Sequence, residues 1–390
     1  MSNAVIAGVD MVKVAKPGQQ NPFREMASTA IRGAVADAGI EPSLIEQAYG
    51  SYIYGDSTCA QHALYDAFMT GIPVINVNNN CSSGSTAIFM ARQAVQSGAV
   101  ECALAFGFEE MQPGALGSHW DDRESPFENV FRVLDQNNYP EAPLALRCFG
   151  AAGHHYMEKY GASADLFAKV AVKTRNHAAV NPFALFTSEL TVEEVMASPV
   201  LYMDYLTRLM CCPPTCGAGA AVICSDSFAS RHGISTGVEI VSQAMATDTP
   251  ATWDDPINLV GADMTRRAAQ LVYEQAGIGV EEVDVVELHD CFTTNEVITY
   301  EGLGLCAEGE ATAFVDAGDN TYGGKYVVNP SGGLMSKGHP IGATGLAQCY
   351  ELVNQLRGNA GQRQVPGARI GLQHNLGLGG AAVVTLYRRS

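Results

Sequence analysis

The sequence predicts an α/β protein in which one layered unit of strands and helices is used twice. Short β-branched apolar runs alternate with stretches of helical spacing over the first hundred residues, and the same alternation returns after residue 217. The chain has 390 residues, of which 47% are hydrophobic and 16% charged, which is ample for a large core. Such alternation is typical of a parallel sheet covered by helices on both faces.

The first unit is interrupted by a long excursion. Proline, aromatic and charged residues are mixed from about residue 112 to residue 214, and we interpret this segment as an inserted loop subdomain that faces the substrate. Its basic residues Lys169, Lys173 and Arg175 are most simply a solvated helix face. Before and within the excursion we predict strands at 4–9, 47–54, 74–77 and 101–108, and helices at 23–39, 61–71, 86–98, 149–160 and 164–178.

The second unit begins where apolar strand character returns at residues 217–224. We place the division between two similar halves at residue 225, so the domains are 1–225, with the insertion, and 226–390. In the second half we predict strands at 238–244, 283–288, 369–374 and 381–387, and helices at 262–277, 293–303 and 344–358.

Charge and cysteine usage limit the class of protein. The net charge of −18 argues against nonspecific binding to nucleic acid or to an anionic membrane, and no apolar run is long enough to span a bilayer. Eleven cysteines without a disulfide framework favour a reduced, intracellular compartment. We recognise no signal peptide and no peroxisomal tripeptide in the sequence. We therefore expect a cytoplasmic location, or a peroxisomal one in a eukaryote. The cluster of Cys211, Cys212 and Cys216 lacks partners at zinc-site spacing, so we predict no metal and no tightly bound cofactor.

Cys81 stands at a predicted strand-to-helix turn. It follows the apolar run at 74–77 and three asparagines, and a helical pattern starts at Thr86. The unpaired N–H groups and positive dipole end of a helix favour the thiolate of a cysteine placed there. From position alone, a reactive nucleophile and a small buried structural cysteine are equally acceptable interpretations.

Two stretches of the second half carry further reactive groups. The apolar strand at 283–288 ends on His289, Asp290 and Cys291, and ligands of open α/β sheets bind beyond the carboxyl ends of strands. The glycine-rich stretch 329–345 carries His339 near its centre. P-loop spacing is absent from that stretch, so the pattern favours a loop that places one imidazole in a pocket over a phosphate cradle.

Four motifs together resemble the thiolase superfamily: Asn-Asn-Asn-Cys81-Ser-Ser-Gly-Ser, His289-Asp-Cys-Phe, Gly338-His-Pro-Ile-Gly-Ala-Thr-Gly and His374-Asn-Leu-Gly-Leu-Gly-Gly. More narrowly, the chain resembles the thiolase domain of sterol-carrier-protein-type thiolases and their bacterial lipid-transfer-protein or acetyl-CoA acetyltransferase-like relatives. The resemblance runs almost end to end. It implies two similar βαβαβαββ halves in an α-β-α-β-α five-layer sandwich with an inserted loop domain.

The resemblance also implies roles for individual residues. Cys81 corresponds to the nucleophile that carries the acyl group, and His339 to the base that activates it. Cys291 corresponds to the second cysteine, which moves the proton at the substrate α-carbon. His289 corresponds to an oxyanion-hole donor, and the backbone N–H groups of Cys81 and Gly377 to a second oxyanion hole.

Three positions depart from the family pattern. Asn375 stands where other thiolases carry their second cysteine, and Cys216 stands where relatives commonly carry aspartate. The stretch 181–186 is less polar than its usual counterpart. The last two departures lie in or beside the excursion, so they put the identity of the substrate in doubt rather than the chemistry.

The implied activity is thiolytic cleavage of a 3-oxoacyl-CoA, with coenzyme A as cosubstrate and a homodimer as the assembly. A ketosynthase-like condensing enzyme is one alternative, although a decarboxylating condensation has no need of Cys291. A thiolase-like steroid side-chain aldolase is another, although such relatives generally lack the nucleophilic cysteine. An acyl-CoA-binding scaffold without activity is the third, and the intact set of four reactive residues argues against it.

Overall fold

The computed structural model describes residues 3–112, 122–234 and 238–389. The strands of these residues are β1 (Ala4–Met11), β2 (Gln47–Ser51), β3 (Val74–Val77), β4 (Cys102–Glu109), β5 (Val200–Tyr202), β6 (Leu206–Thr207), β7 (Gly217–Ser225), β8 (Val238–Ala246), β9 (Val285–Glu287), β10 (Val327–Val328), β11 (Ile370–Gly377) and β12 (Ala381–Arg389). The α-helices are α1 (Phe23–Ala38), α2 (Cys59–Tyr65), α3 (Ser83–Gln96), α4 (Glu128–Gln136), α5 (Leu144–Tyr160), α6 (Ala164–Ala178), α7 (Val192–Ala197), α8 (Asp226–Arg231), α9 (Pro256–Leu259), α10 (Ala262–Ala276), α11 (Thr293–Gly302), α12 (Ala311–Asp316) and α13 (Thr344–Arg357).

The strands repeat one order in the two parts of the chain. The first five sheet strands lie in the order β3-β2-β4-β7-β1 and the second five in the order β10-β9-β11-β12-β8. In each set the third strand of the chain lies at the outer edge and the first strand at the inner edge. The edge strands β1 and β8 pair antiparallel at Val5 and Glu239, which joins the sets into a ten-stranded sheet.

The four strands of the first hundred residues run in one direction, as expected, but the sheet as a whole is mixed. Strand β7 runs antiparallel to both β4 and β1, and β12 runs antiparallel to β11 and β8. The reason for β12 is local, because the short turn from β11 contains Gly379 and Gly380 with positive φ and reverses the chain as a hairpin. The reason for β7 is the excursion, which brings the chain back to the opposite end of the sheet.

Helix contacts define five layers and confirm the predicted sandwich. Helix α3 packs against α13, and both contact strands of each half, so this pair forms the middle layer. Helix α1 covers the outer face of the first strand set together with α2. Helix α10 covers the outer face of the second set and packs against α11.

The excursion contains α4 to α7 and the two-stranded sheet of β5 and β6, while its residues 113–121 lie outside the described part of the chain. The expectation that its basic group is a solvated helix face is wrong for two of the three residues. Lys173 is buried, forms an ion pair with Glu296 on α11 and donates to the carbonyl oxygen of Val328 at 3.2 Å. Arg175 is also buried, and its Nε donates to Ser336 Oγ at 3.1 Å. These contacts attach α6 to the loops that carry the site.

Several predicted boundaries shift, and the helix predicted at 149–160 begins already at Leu144. The strand predicted at 47–54 ends at Ser51, and the helix predicted at 61–71 spans Cys59–Tyr65. Among the described residues, no helix is long and apolar enough to cross a membrane.

Candidate active site

One cysteine and two histidines from distant parts of the chain converge at the carboxyl ends of the strands. The Sγ of Cys81 and one ring nitrogen of each of His289 and His339 all lie within 4.8 Å of one another. The two imidazole rings are 5.0 Å apart between centroids and almost perpendicular, at 85°. The structure thus brings together three of the four predicted reactive side chains.

The turn between β3 and α3 positions Cys81. Asn80 adopts a positive φ of 50°, and the N–H of Ser82 donates to the carbonyl oxygen of Asn79 at 3.2 Å. The backbone of Gly377 lies directly against this turn, since a Cβ there would come within 2.1 Å of the Asn79 carbonyl oxygen. The absence of a side chain at Gly377 is therefore a condition for the approach of the last loop to Cys81.

The sequence-based expectation that the helix end favours the thiolate of Cys81 is wrong. Burial raises the pKa of the Cys81 thiol to about 12, and the negative charge of Glu109 raises it further. The dipole of one helix end is a small effect compared with the desolvation of a charged sulfur. Cys81 is therefore a neutral thiol at rest, and it has to lose its proton during the attack on a substrate.

The glycine-rich loop reaches the site because small residues let its backbone approach the ends of β2 and β4. A Cβ on Gly342 would lie 2.6 Å from the carbonyl oxygen of Phe108. The buried carboxylate of Glu109 accepts a hydrogen bond from the Gly342 N–H at 3.0 Å and from the N–H groups of Ile53 and Tyr54. Burial raises the pKa of Glu109 to about 7. This carboxyl group links the loop of His339 to the first strand set.

His339 is held with one nitrogen free for proton transfer. Its backbone N–H donates to Thr215 Oγ1 at 2.7 Å, and its ring Nδ1 lies 2.7 Å from Thr344 Oγ1. The hydroxyl of Thr344 donates its only proton to the carbonyl oxygen of Pro340 at 3.0 Å, so Thr344 must accept from Nδ1–H. The Nε2 of His339 therefore carries a lone pair. Burial lowers the pKa of His339 to about 3, which keeps the ring neutral.

His289 lies just beyond β9 and faces the end of β11. Its Nδ1 is 2.9 Å from the side-chain nitrogen of Asn375, and its backbone N–H donates to Nδ1 of His374 at 3.5 Å. Burial lowers the pKa of His289 well below its usual value, and the nearby His339 and His374 lower it further. His289 is therefore a neutral imidazole.

Cys291 follows in the same segment and is almost fully buried. Its carbonyl oxygen accepts from the N–H of Cys212 at 2.9 Å. Burial raises the pKa of the Cys291 thiol well above its usual value, and the charges of Cys212, Cys81 and Asp290 raise it further. The Cys81 thiol is thus close enough to influence the pKa of Cys291.

Asp290 ties this segment to the glycine-rich loop. Its carboxylate accepts from the N–H of Leu334 at 2.7 Å and from that of Met335 at 3.4 Å. A Cβ on Gly333 would come within 2.1 Å of Asp290, so the loop passes at backbone distance. Asp290 thus couples the position of Cys291 to the loop that carries His339.

Sequence reasoning missed three residues that shape the site. Glu109 is the last residue of a strand and belongs to no recognisable motif. Cys212 belongs to the cysteine cluster that we considered only as a possible metal site. Thr344 lies four residues after Pro340 at a helix start, and that spacing for a hydroxyl-to-carbonyl bond is the one signal that could have indicated its role.

The residues that depart from the family pattern have structural partners. The Sγ of Cys216 accepts from the N–H of Met111 at 3.2 Å, at the end of β4. The side chain of Asn181 donates to the carbonyl oxygen of Ser331 at 2.7 Å, so the stretch 181–186 runs along the glycine-rich loop. Cys211, Cys212 and Cys216 do not form a metal-ligand group; among the described residues, only Cys81, His289 and His339 have that geometry.

The fold is that of an α/β protein with two similar halves, and the cluster of Cys81, His289 and His339 lies at the carboxyl ends of its strands. Residues 4–197 match the family described as thiolase, N-terminal domain, and residues 242–388 match the thiolase C-terminal domain-like family. The chain belongs to the thiolase superfamily.

Individual relatives agree with this assignment. The chain is 53% identical to sterol carrier protein 2 of Rattus norvegicus over 98% of its own length and 71% of that protein. It is 35% identical to the benzoylsuccinyl-CoA thiolase subunit BbsB of Thauera aromatica over 98% of its own length and 97% of the relative. Among solved structures, the Ltp2-ChsH2(DUF35) aldolase is similar with a TM-score of 0.85 and 23% identity over 99% of this chain and 98% of the other. At that identity the last likeness indicates the fold alone.

Proposed function

We propose that this chain is an acyltransferase of the 3-ketoacyl-CoA thiolase type, which cleaves a 3-oxoacyl-CoA with coenzyme A through an acyl-Cys81 intermediate. The observation that carries the proposal is the convergence of the Cys81 thiol with two neutral imidazoles, one of which has a free Nε2 lone pair. Family membership and the CoA ester in the name of one relative support this substrate class.

In the first step, the Sγ of Cys81 attacks the 3-keto carbon while its proton moves to Nε2 of His339. A thiol with a pKa of about 12 beside an imidazole with a pKa of about 3 does not form a resting ion pair. Proton transfer therefore accompanies carbon–sulfur bond formation, and the backbone N–H groups of Cys81 and Gly377 stabilise the developing oxyanion.

Carbon–carbon cleavage then releases the enolate of a shorter CoA ester. His289 and protonated His339 stabilise its oxygen, and Cys291 donates a proton to its α-carbon and becomes a thiolate. The high pKa of buried Cys291 suits this step, because a carbanion-like centre needs a donor that remains protonated until the bond breaks.

In the second step, the thiol of free coenzyme A attacks the acyl-enzyme. The coenzyme A proton passes to the Cys291 thiolate, and the departing Cys81 sulfur recovers its proton from His339. Both cysteines and the base return to their starting forms, so each turnover balances.

A panel of straight-chain, branched and sterol-derived 3-oxoacyl-CoA substrates tests the proposal. The loss of magnesium-enolate absorbance on addition of coenzyme A measures thiolysis. We expect turnover with at least one substrate and none with the Cys81→Ala variant. Wild-type thiolysis by purified Cys81→Ala would overturn the assignment of the nucleophile.

Assays on the same purified protein distinguish thiolysis from two alternative activities. A ketosynthase-like enzyme would condense an acyl-CoA with a malonyl donor, and Cys291 is superfluous for that reaction. An aldolase would release an aldehyde or ketone without coenzyme A, and its chemistry has no use for Cys81. Product analysis with malonyl donor present, and then with coenzyme A left out, distinguishes all three. The homodimer that we expect is tested by light scattering.

A further inference from the structure

We propose that a buried hydrogen-bond relay from Tyr387 through Gln373, Ser85 and Asn375 holds His289 as the tautomer with its proton on Nε2. Asn375 is then a positioning residue, which acts on the reaction through His289. The inference deepens the proposed function, in which His289 donates to the enolate oxygen.

The relay starts from an unambiguous acceptor. The side-chain Nε2 of Gln373 lies 2.6 Å from the carbonyl oxygen of Gly345, which can only accept, so that atom must be the amide nitrogen. The Oε1 of Gln373 accordingly faces Tyr387 and accepts from its hydroxyl at 2.6 Å. The same Nε2 donates to Ser85 Oγ at 3.0 Å. The orientation of Gln373 is therefore fixed from both sides.

Ser85 passes this orientation to Asn375. Its Oγ receives a proton from Gln373, so its own proton goes to the remaining partner, Asn375 Oδ1 at 2.9 Å. If the Asn375 amide were rotated by 180°, its N–H would also point at Oγ of Ser85. The Ser85 hydroxyl would then have no acceptor for its own proton, although the group is fully buried. A buried donor without a partner is destabilising, so the structure favours the orientation with Nδ2 toward His289.

The last bond of the relay decides the tautomer. Asn375 Nδ2 donates to Nδ1 of His289 at 2.9 Å, so Nδ1 carries the lone pair. Because the ring is neutral, its single proton sits on Nε2. His339 is held in the opposite tautomer by Thr344. Two neighbouring imidazoles are thereby assigned different tasks, one as a hydrogen-bond donor and the other as a base.

The tautomer of His289 also affects whether Cys81, His289 and His339 could bind a metal ion. A metal ion needs a lone pair from each ligand, whereas the relay places the only lone pair of His289 on Nδ1, where Asn375 already donates to it. The arrangement therefore opposes metal binding at these three residues.

NMR of the whole protein labelled with [15N]histidine tests the tautomer without any substrate. The two-bond 1H–15N pattern distinguishes Nδ1–H from Nε2–H, and loss of signals in His289→Gln assigns the residue. We expect His289 as Nε2–H in the wild type and as Nδ1–H in Asn375→Asp, whose carboxylate can only accept. A wild-type His289 protonated on Nδ1 would overturn the proposal. Since no substrate is used, this result is independent of whether the protein is a thiolase.

Kinetics give a second readout that a purely structural role would not change. In Asn375→Asp we expect kcat for thiolysis to fall about 100-fold at neutral pH, the typical cost of losing one oxyanion donor, with KM almost unchanged. Lowering the pH protonates Nε2 and restores the donor, so kcat of this variant rises toward acidic pH while that of the wild type does not.

A matched control and a relay variant complete the experiment. Gln243→Glu makes the same amide-to-acid exchange in the same sheet, where the side chain donates to Thr385 Oγ1. We expect it to keep the wild-type tautomer and pH profile. Ser85→Ala removes the orienting proton and should give a mixture of both His289 tautomers. An unchanged single tautomer in Ser85→Ala would show that Ser85 takes no part.

Discussion

The hydroxyl oxygen of Thr344 lies 2.7 Å from Nδ1 of His339 and leaves Nε2 of that ring as the acceptor in the site. The orientation depends on one further bond, from the Thr344 hydroxyl to the carbonyl oxygen of Pro340 four residues earlier. A local feature at the start of α13 thus determines which ring nitrogen of His339 is free to accept a proton.

Substitution of Thr344 should damage catalysis more than folding. Thr344→Val keeps the shape but removes the acceptor, so Nδ1–H is buried without a partner and the base is misoriented. We expect kcat for thiolysis to fall about 10- to 100-fold, which corresponds to the 1–3 kcal/mol cost of an unpaired buried donor. Thr344→Ser restores the hydroxyl and should recover most of the rate. Equal losses in both variants would show that the methyl group matters, not the hydrogen bond.

Glu109 should control the reactivity of Cys81. Its charge is one of the causes that raise the pKa of the Cys81 thiol, and Glu109→Gln removes that charge. We expect iodoacetamide to alkylate Cys81 faster in this variant at pH 9, by up to about tenfold, the change produced by one pKa unit. Peptide mass spectrometry separates Cys81 from the other cysteines. Glu110→Gln, at the neighbouring carboxylate, is the control and should leave the rate unchanged; a slower reaction in Glu109→Gln would contradict the prediction.

Glu109 should also make stability depend on pH. Its pKa is about 7 in the folded chain against an ordinary value of 4.5, so between these pH values the folded state holds a proton that the unfolded state has lost. The contribution of Glu109 to the free energy of unfolding is therefore full below pH 4.5 and declines as the pH rises to 7, by about 3 kcal/mol. Urea unfolding of wild type and Glu109→Gln across pH 4.5–8 measures this difference. A wild type that gains stability relative to Glu109→Gln as the pH rises would have the opposite sign and would refute the assignment.

The two site cysteines should separate the two halves of the reaction. Cys291→Ala keeps Cys81 and His339, so the acyl-enzyme should still form from acetyl-CoA. Deuterium incorporation from D2O into the acetyl methyl group needs the second thiol, and we expect it to fall at least about 100-fold. Cys212→Ala, at the adjacent buried thiol, serves as control. If Cys212→Ala lost the exchange and Cys291→Ala kept it, the proton donor would be Cys212.

Much of the fold was predictable, because local patterns report it directly. The helix at Phe23–Ala38 ends at Gly39 with a positive φ, as its sequence indicates, and the helix at Ala164–Ala178 coincides with its prediction. The direction of β7 was not predictable, since it depends on how the long excursion returns to the sheet. The burial of Lys173 was missed for a similar reason, because its partner Glu296 lies in the other half.

The convergence of Cys81, His289 and His339 was expected from the family resemblance and not from strand ends alone, because His339 lies in a glycine-rich loop. Their protonation states were not predictable. The bond from Gly342 to Glu109 spans 233 positions of the chain, and that from Asn375 to His289 spans 86. The contact with Asn375 sets the tautomer of His289, whereas that of His339 depends on Thr344, five residues along the chain. A motif gives the residue types, but only the packed structure gives the partner of each nitrogen.

The central claim, that Cys81 carries the acyl group, is tested most directly by trapping the intermediate. The protein is mixed with acetoacetyl-CoA in the absence of free coenzyme A, quenched in acid, digested and analysed by mass spectrometry. We predict an acetyl adduct on the peptide that contains Cys81, its absence in Cys81→Ala, and its loss when coenzyme A is added before the quench. An adduct on another residue, or turnover without any adduct on Cys81, would contradict the account.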